Sequence, residues 1–176
     1  VTETRNMERK ISYQATHDAL TGLMNRSEFE ARLGLAVDSA RGLGEDHVLC
    51  YMDLDQLKII NDTCSHEAGD ALLRNVTGQL QACLRESDII ARLGGDEFGI
   101  LLKHCSLEDA AELAGNMLAG IHALRFTSCG RTFEIAASIG LTSINAGSDT
   151  VTSIMSEADL ACYASKDLGG NRYHIY

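Results

Sequence analysis

The chain has 176 residues, 45% apolar and 23% charged, the balance of one ordinary globular domain with enough apolar material for a real core. Its formal charge is −10, from 25 acidic against 15 basic side chains, which argues against binding a nucleic-acid polymer and leaves a nucleotide open only if a metal ion screens its phosphates. No apolar run reaches the roughly 20 residues that cross a bilayer and no signal peptide opens the chain, while six cysteines without CxxC or zinc-like spacing read as reduced thiols of a cytoplasmic protein. The first residue is Val1 rather than Met, the expectation for a fragment of a longer chain.

Residues 1–16, VTETRNMERKISYQAT, are polar with Met7, Ile11 and Ala15 at four-residue steps. That narrow stripe predicts a helix packing on something small or on a copy of itself, the alternative being a plain lead-in helix. A second helix follows Ser27, with Phe29, Leu33, Ala36 and Val37 on one face and Ser27–Glu30 spaced as a capping box. VLCYMD (48–53) is a short apolar run ending at an acid, the pattern of a buried strand. Residues 53–70 read as a polar loop carrying Lys58, Asn61, His66, Gly69 and Asp70 into a long helix over 67–87, where Leu72, Val76, Leu80 and Cys83 form a stripe. DIIARL (88–93) and EFGILL (97–102) flank Gly94-Gly95 as a hairpin. A helix is expected over 107–124, strand material over 131–145, and a helix over 151–170 that ends at glycines. RYHIY adds a last strand, and the whole order predicts an α+β or α/β fold with a mixed central sheet covered by helices.

The acids raise the chemical question. Asp53-Leu54-Asp55 closes the first strand, and the hairpin tip carries Asp96-Glu97. If those strands are neighbours, two or three carboxylates converge and repel unless a cation intervenes, and hard oxygen donors select Mg²⁺ or Mn²⁺. Successive strand residues face opposite ways, so which of Asp96 and Glu97 enters the site stays open. Lys58 can meet a phosphate, and Asn61 and Asp70 can read a base edge; ordinary loop and cap chemistry explains the same residues.

Five ordered motifs narrow this. HDALTGLMNRSEFEARL, DLDQLKIINDTCSHEAGD, RESDIIARLGGDEF, SIGLT and ADLACYASKDLGGNR closely resemble the GGDEF family of diguanylate cyclase domains, from about residue 16 to the C-terminus. The resemblance implies a fold like the palm of adenylyl cyclases and polymerases, divided into a linker or signalling helix over 1–16 and the domain proper over 17–176. It implies that two GTP molecules are joined into cyclic di-GMP with release of two pyrophosphates, by two domains facing each other as a homodimer. Asp53 and Asp96 would hold Mg²⁺ (or Mn²⁺, two ions per half-site) with the Leu54 carbonyl, and Glu97 would be a neighbouring ligand. Asp96 matches the position of a general base, Asn61 and Asp70 match the guanine readers, and Lys58 and Lys166 match the phosphate-facing cations. Arg85-Glu86-Ser87-Asp88 has the spacing of an inhibitory product site, in which Arg85 and Asp88 grip guanine edges. VTETR and NRYHIY are similar to junctions with an upstream PAS sensor and a downstream EAL phosphodiesterase domain.

The chain also departs from the family pattern. Gly170 stands where a phosphate-binding Arg is expected, and Arg172 occupies a separate position. A lost charge-assisted contact costs about 1.5–3 kcal/mol, so two readings follow: an active cyclase with product feedback, or a weakened domain that binds GTP or cyclic di-GMP to regulate a neighbour. Leu57 for Phe, Ser65 for Gly, and Ala19 and Met24 for prolines read as packing and loop adjustments.

Overall fold

The computed structural model describes residues 1–176 as six helices and seven strands. Helix α1 spans Thr2–Thr16 and buries none of its residues. Helix α2, Arg26–Leu43, turns Phe29, Leu33, Ala36, Val37 and Ala40 inward. Its cap is Asn25, whose side chain accepts from the Glu28 backbone N–H, rather than Ser27 as expected. Asn25 is an equally good cap and leaves Ser27 inside the first turn.

The core sheet has five strands, in the order β2 (Ile89–Gly94), β3 (Glu97–Leu102), β1 (His47–Leu54), β6 (Ala137–Ile144), β7 (Arg172–Ile175). All neighbours are antiparallel except β6 and β7, which run parallel, so the mixed sheet is as expected. Strand β1 is central and apolar on both faces, which requires cover on both sides. Val48, Cys50, Met52 and Leu54 pack with α4 (His66–Cys83) and α5 (Leu107–His122), while Leu49 and Tyr51 pack with α2 and α6 (Val151–Asp167). Asp53 shares the α6 side by the two-residue period of the strand.

Residues 53–70 are not the polar loop expected. Leu57–Thr63 forms a short helix, α3, because Leu57 and Ile60 find burial under α4, a tertiary gain that the local pattern does not display. Ser65, read as a mere loop adjustment, caps α4 by accepting from Ala68 N–H at 3.1 Å. A small second sheet of β4 (Phe126–Ser128) and β5 (Arg131–Phe133) also lay outside the expectation for residues 126–128; three-residue strands carry too little periodicity to be read. The reduced-thiol reading fails for one pair. Cys64 and Cys129, 65 residues apart, are joined by a disulfide, whereas Cys50, Cys83, Cys105 and Cys162 are free. Spacing cannot disclose a pairing that tertiary placement makes. No helix is long and apolar enough to cross a membrane.

Candidate active site

The end of β1 collects the acids. Strand β3 runs antiparallel to β1 with Glu97 directly opposite Asp53, and the Leu54 N–H donates to the Asp96 carbonyl at 3.1 Å. The register of the β2–β3 hairpin shifts between Arg92 and Gly94, and Gly94 pairs with Glu97, so the turn residues are Gly95 and Asp96. Asp96 therefore sits in the turn, outside the alternation of the strand. The Asp96 carboxylate adjoins Asp53, and Glu97 faces Tyr51 on the same side of the sheet.

Electrostatics make this corner expensive. Burial, followed by the neighbouring Asp96 charge, pushes the Asp53 carboxyl up to about 6, against the pull of Lys166. Lys166, in the last turn of α6, donates from Nζ to Asp53 Oδ2 at 2.7 Å. Burial works to lower the Lys166 ammonium, but the hydrogen bond and charge of Asp53 outweigh it, and the ammonium is held more firmly protonated than usual. Asp53 Oδ1 is buried with no hydrogen-bond partner. An orphaned carboxylate oxygen beside a second carboxylate is a strong acceptor facing no donor. No group of three or more His, Cys, Asp or Glu side chains stands close enough to hold an ion, and the cation among these acids is the Lys166 ammonium.

The second half of the site lies between α3 and α4. Asn61 Oδ1 is the other buried side-chain acceptor without a partner. It lies against Gly69, and a Cβ at that position would press on the Asn61 carboxamide unless the carboxamide moved. Asp70 is half-buried one turn into α4, and Lys58 and His66 are exposed at the starts of α3 and α4.

Gly170 closes α6. Its N–H donates to the Ser165 carbonyl and that of Gly169 to Lys166, the paired bonds of a glycine-terminated helix. Its φ is +72°, and a Cβ there would come within 2.8 Å of Asp55 Oδ2. The Arg172 guanidinium donates to the Gly170 carbonyl at 3.2 Å and lines a cavity of about 380 Å³ against α5.

Arg85 and Asp88 meet in the α4–β2 turn. The guanidinium donates to Asp88 through Nε at 3.3 Å and a terminal nitrogen at 3.0 Å, and it also reaches the Lys103 carbonyl. The Asp88 hydrogen bond and charge hold Arg85 more firmly protonated than usual. One pair escaped the sequence reading. Arg92 donates to the Gly95 carbonyl and to Asp18, bracing the turn that carries Asp96. Burial raises the Asp18 carboxyl, yet hydrogen bonds from Thr21 and the Arg92 charge outweigh it and hold it below the usual range. Both residues lie inside the quoted motifs, but their 74-residue separation hid the contact.

A sequence model of the family described as "Diguanylate cyclase, GGDEF domain" matches residues 15–172. The chain belongs to the GGDEF family. Among curated relatives of this GGDEF domain, the probable diguanylate cyclase DgcE of Escherichia coli (strain K12) is 43% identical over 176 residues, all of this chain and 16% of the relative. The diguanylate cyclase TpbB of Pseudomonas aeruginosa is 40% identical over 157 residues, 89% of this chain and 36% of the relative. The domain thus spans about a sixth to a third of the length of these relatives. Among solved structures, the coiled coil and GGDEF domain of DgcB from Caulobacter crescentus, in complex with c-di-GMP, superposes with a TM-score of 0.91 at 27% identity, covering 99% of this chain and 93% of that one. The GGDEF domain of TpbB from Pseudomonas aeruginosa superposes with a TM-score of 0.84 at 38% identity, covering 90% and 93%. The mixed sheet covered by helices is the GGDEF fold.

Proposed function

We propose that this GGDEF domain is a diguanylate cyclase that condenses two GTP molecules into cyclic di-GMP and releases two pyrophosphates. The observation that carries the reading is the Asp53–Asp96 pair at the end of β1, with one Asp53 oxygen buried and unpartnered and Lys166 on the other. Such a corner is unfavourable by itself and favourable once positive charge and phosphate arrive. Asp53, Asp96 and the Leu54 carbonyl are the donors for Mg²⁺ or Mn²⁺, up to two ions, with Glu97 beside them; hard oxygens suit either ion. A bound ion would supply neutralisation of phosphate charge and a lower pKa for the attacking 3′-hydroxyl.

The chain's own residues do the rest. Asp70 accepts from guanine N1–H and the 2-amino group, donors that adenine does not offer together, and Asn61 presents its unpartnered oxygen to the same base edge. Lys58 and Lys166 contact the triphosphate, Lys166 by exchanging part of its hold on Asp53. Asp96 takes the proton of the ribose 3′-hydroxyl. Each domain binds one GTP, so closing the ring requires two domains face to face. Residues 1–16 form the linker or signalling helix of that homodimer and residues 17–176 the domain proper, in line with α1 burying none of its residues. Arg85 and Asp88 take cyclic di-GMP as inhibitor. A PAS sensor upstream and an EAL domain downstream fit the small share of its relatives that the domain spans. The reaction needs GTP, which places the domain in the cytoplasm.

Gly170 favours a second reading, a weakened domain that binds GTP or cyclic di-GMP to regulate a neighbour, because neither it nor Arg172 supplies the expected phosphate-facing guanidinium. The test is incubation with GTP and Mg²⁺ at high protein concentration, followed by chromatography for cyclic di-GMP, with Asp96→Asn alongside. Product from the parent alone establishes the cyclase. Absence of product with calorimetric GTP binding establishes the regulatory module.

A further inference from the structure

Cys64 stands at the joint of the two helices that frame the proposed guanine site. Its N–H closes α3 on the Ile60 carbonyl at 2.8 Å, and the next residue, Ser65, caps α4. Asn61 lies three residues before it and Gly69 five after it. Any restraint on Cys64 is therefore a restraint on how α3 and α4 sit together.

Its partner is unusual for its backbone. In the β4–β5 hairpin Ser128 pairs with Arg131, leaving Cys129 and Gly130 as a two-residue turn with φ of 46° and 74°. Both positions are left-handed, a turn that favours Asn, Asp or Gly at its first residue. Cysteine has no conformational advantage there, and the structure joins its side chain to Cys64. The hairpin forms its own two-stranded sheet, with Phe126 holding its base in the core and the disulfide holding its tip. Cys129 is exposed and Cys64 half-buried, so small thiol reagents can reach the bond. In a compartment that keeps thiols reduced, an accessible disulfide of this kind forms and breaks rather than persisting.

We propose that Cys64 and Cys129 are a reversible redox tether that, when closed, fixes the α3–α4 joint and tightens binding of guanine nucleotide. The inference rests on the reading that guanine binds between α3 and α4. Closure joins the two Sγ atoms with loss of two protons and two electrons. A small-molecule disulfide such as oxidised glutathione accepts them and leaves as two thiols, and a dithiol reductant reverses the step. Tightening follows because a site held in its binding conformation no longer loses affinity to its other conformations.

The test uses the whole chain treated with oxidised glutathione or with dithiothreitol. Peptide mapping reads the Cys64–Cys129 link, and calorimetry with Mg²⁺ reads the affinity for a non-hydrolysable GTP analogue. Cys129→Asn is the companion variant, because asparagine suits the turn and keeps the hairpin folded. The oxidised protein should show the linked peptide and bind about threefold to tenfold more tightly than the reduced protein, and Cys129→Asn should match the reduced protein under both treatments. Absence of the linked peptide, equal affinity in the two states, or redox dependence that persists in Cys129→Asn overturns the tether. Linked peptide with no nucleotide binding in either state overturns the guanine-site reading instead, and with it the claimed control of affinity.

Discussion

Two acidic corners of the domain use similar residues and reach opposite electrostatic states. At the end of β1, Asp53 has one oxygen on Lys166, one oxygen buried without a partner, and Asp96 beside it. In the α4–β2 turn, Asp88 has its side chain fully covered and both oxygens hydrogen-bonded, to the Arg85 guanidinium and to the Arg85 backbone N–H. The first corner leaves an acceptor without a donor, whereas in the second both acceptors are satisfied. A cluster of acids signals a binding site through its deficit of donors, since its charge alone is shared by the settled pair.

The contrast can be broken most directly at Asp53. Asp53→Asn should reduce cyclic di-GMP formation by about a thousandfold or more, by analogy with other losses of electrostatic stabilisation at a reacting phosphate. The same variant should melt no lower than the parent in chelator, because it relieves repulsion from Asp96. A variant with parental product formation, or one that melts clearly lower, would show that the corner carries no deficit. Arg85→Ala probes the satisfied corner. It should weaken inhibition by cyclic di-GMP by about tenfold to a hundredfold while leaving the initial rate within about twofold, and product titrations read both.

The pH dependence sharpens the comparison. The folded-state pKa of Asp53 is raised to about 6, above the value of 3.8 for an unperturbed carboxyl. Below the unfolded value the group is neutral in both states. As pH rises towards 6 the unfolded chain ionises first, so metal-free stability should fall across that window, by up to about 3 kcal/mol for this group. Melting curves with chelator at pH 5 and pH 7.5 should therefore differ more in the parent than in Asp53→Asn. The smallest effect is expected at Gly170→Arg, which should restore no phosphate contact and should cost about 1–2 kcal/mol, since position 170 has a left-handed φ and Asp55 blocks its Cβ. Raised activity without loss of stability would place an open phosphate subsite there.

Much of the fold was legible because its signals are local or periodic. The stripe on α4, the buried run of β1, the glycines after α6 and the five ordered motifs all belong to contiguous segments, and each fell where expected apart from a few end residues. Helix α3 was not legible, because seven residues with two apolar anchors satisfy loop and helix alike until α4 covers them. Asn25 took the cap from Ser27 because both residue types can cap and only the chain path chooses between them.

The sequence by itself determined the fold class, the family and the list of polar residues available for chemistry, since these depend on residue identity and order along the chain. Tertiary structure alone decided the relations between distant residues: Lys166 on Asp53, Arg92 bracing the Asp96 turn, Cys64 joined to Cys129, and Asp96 turned to the same side as Glu97. Those relations set burial and charge proximity, and an acid's burial and neighbours determine whether it is settled or awaits a ligand.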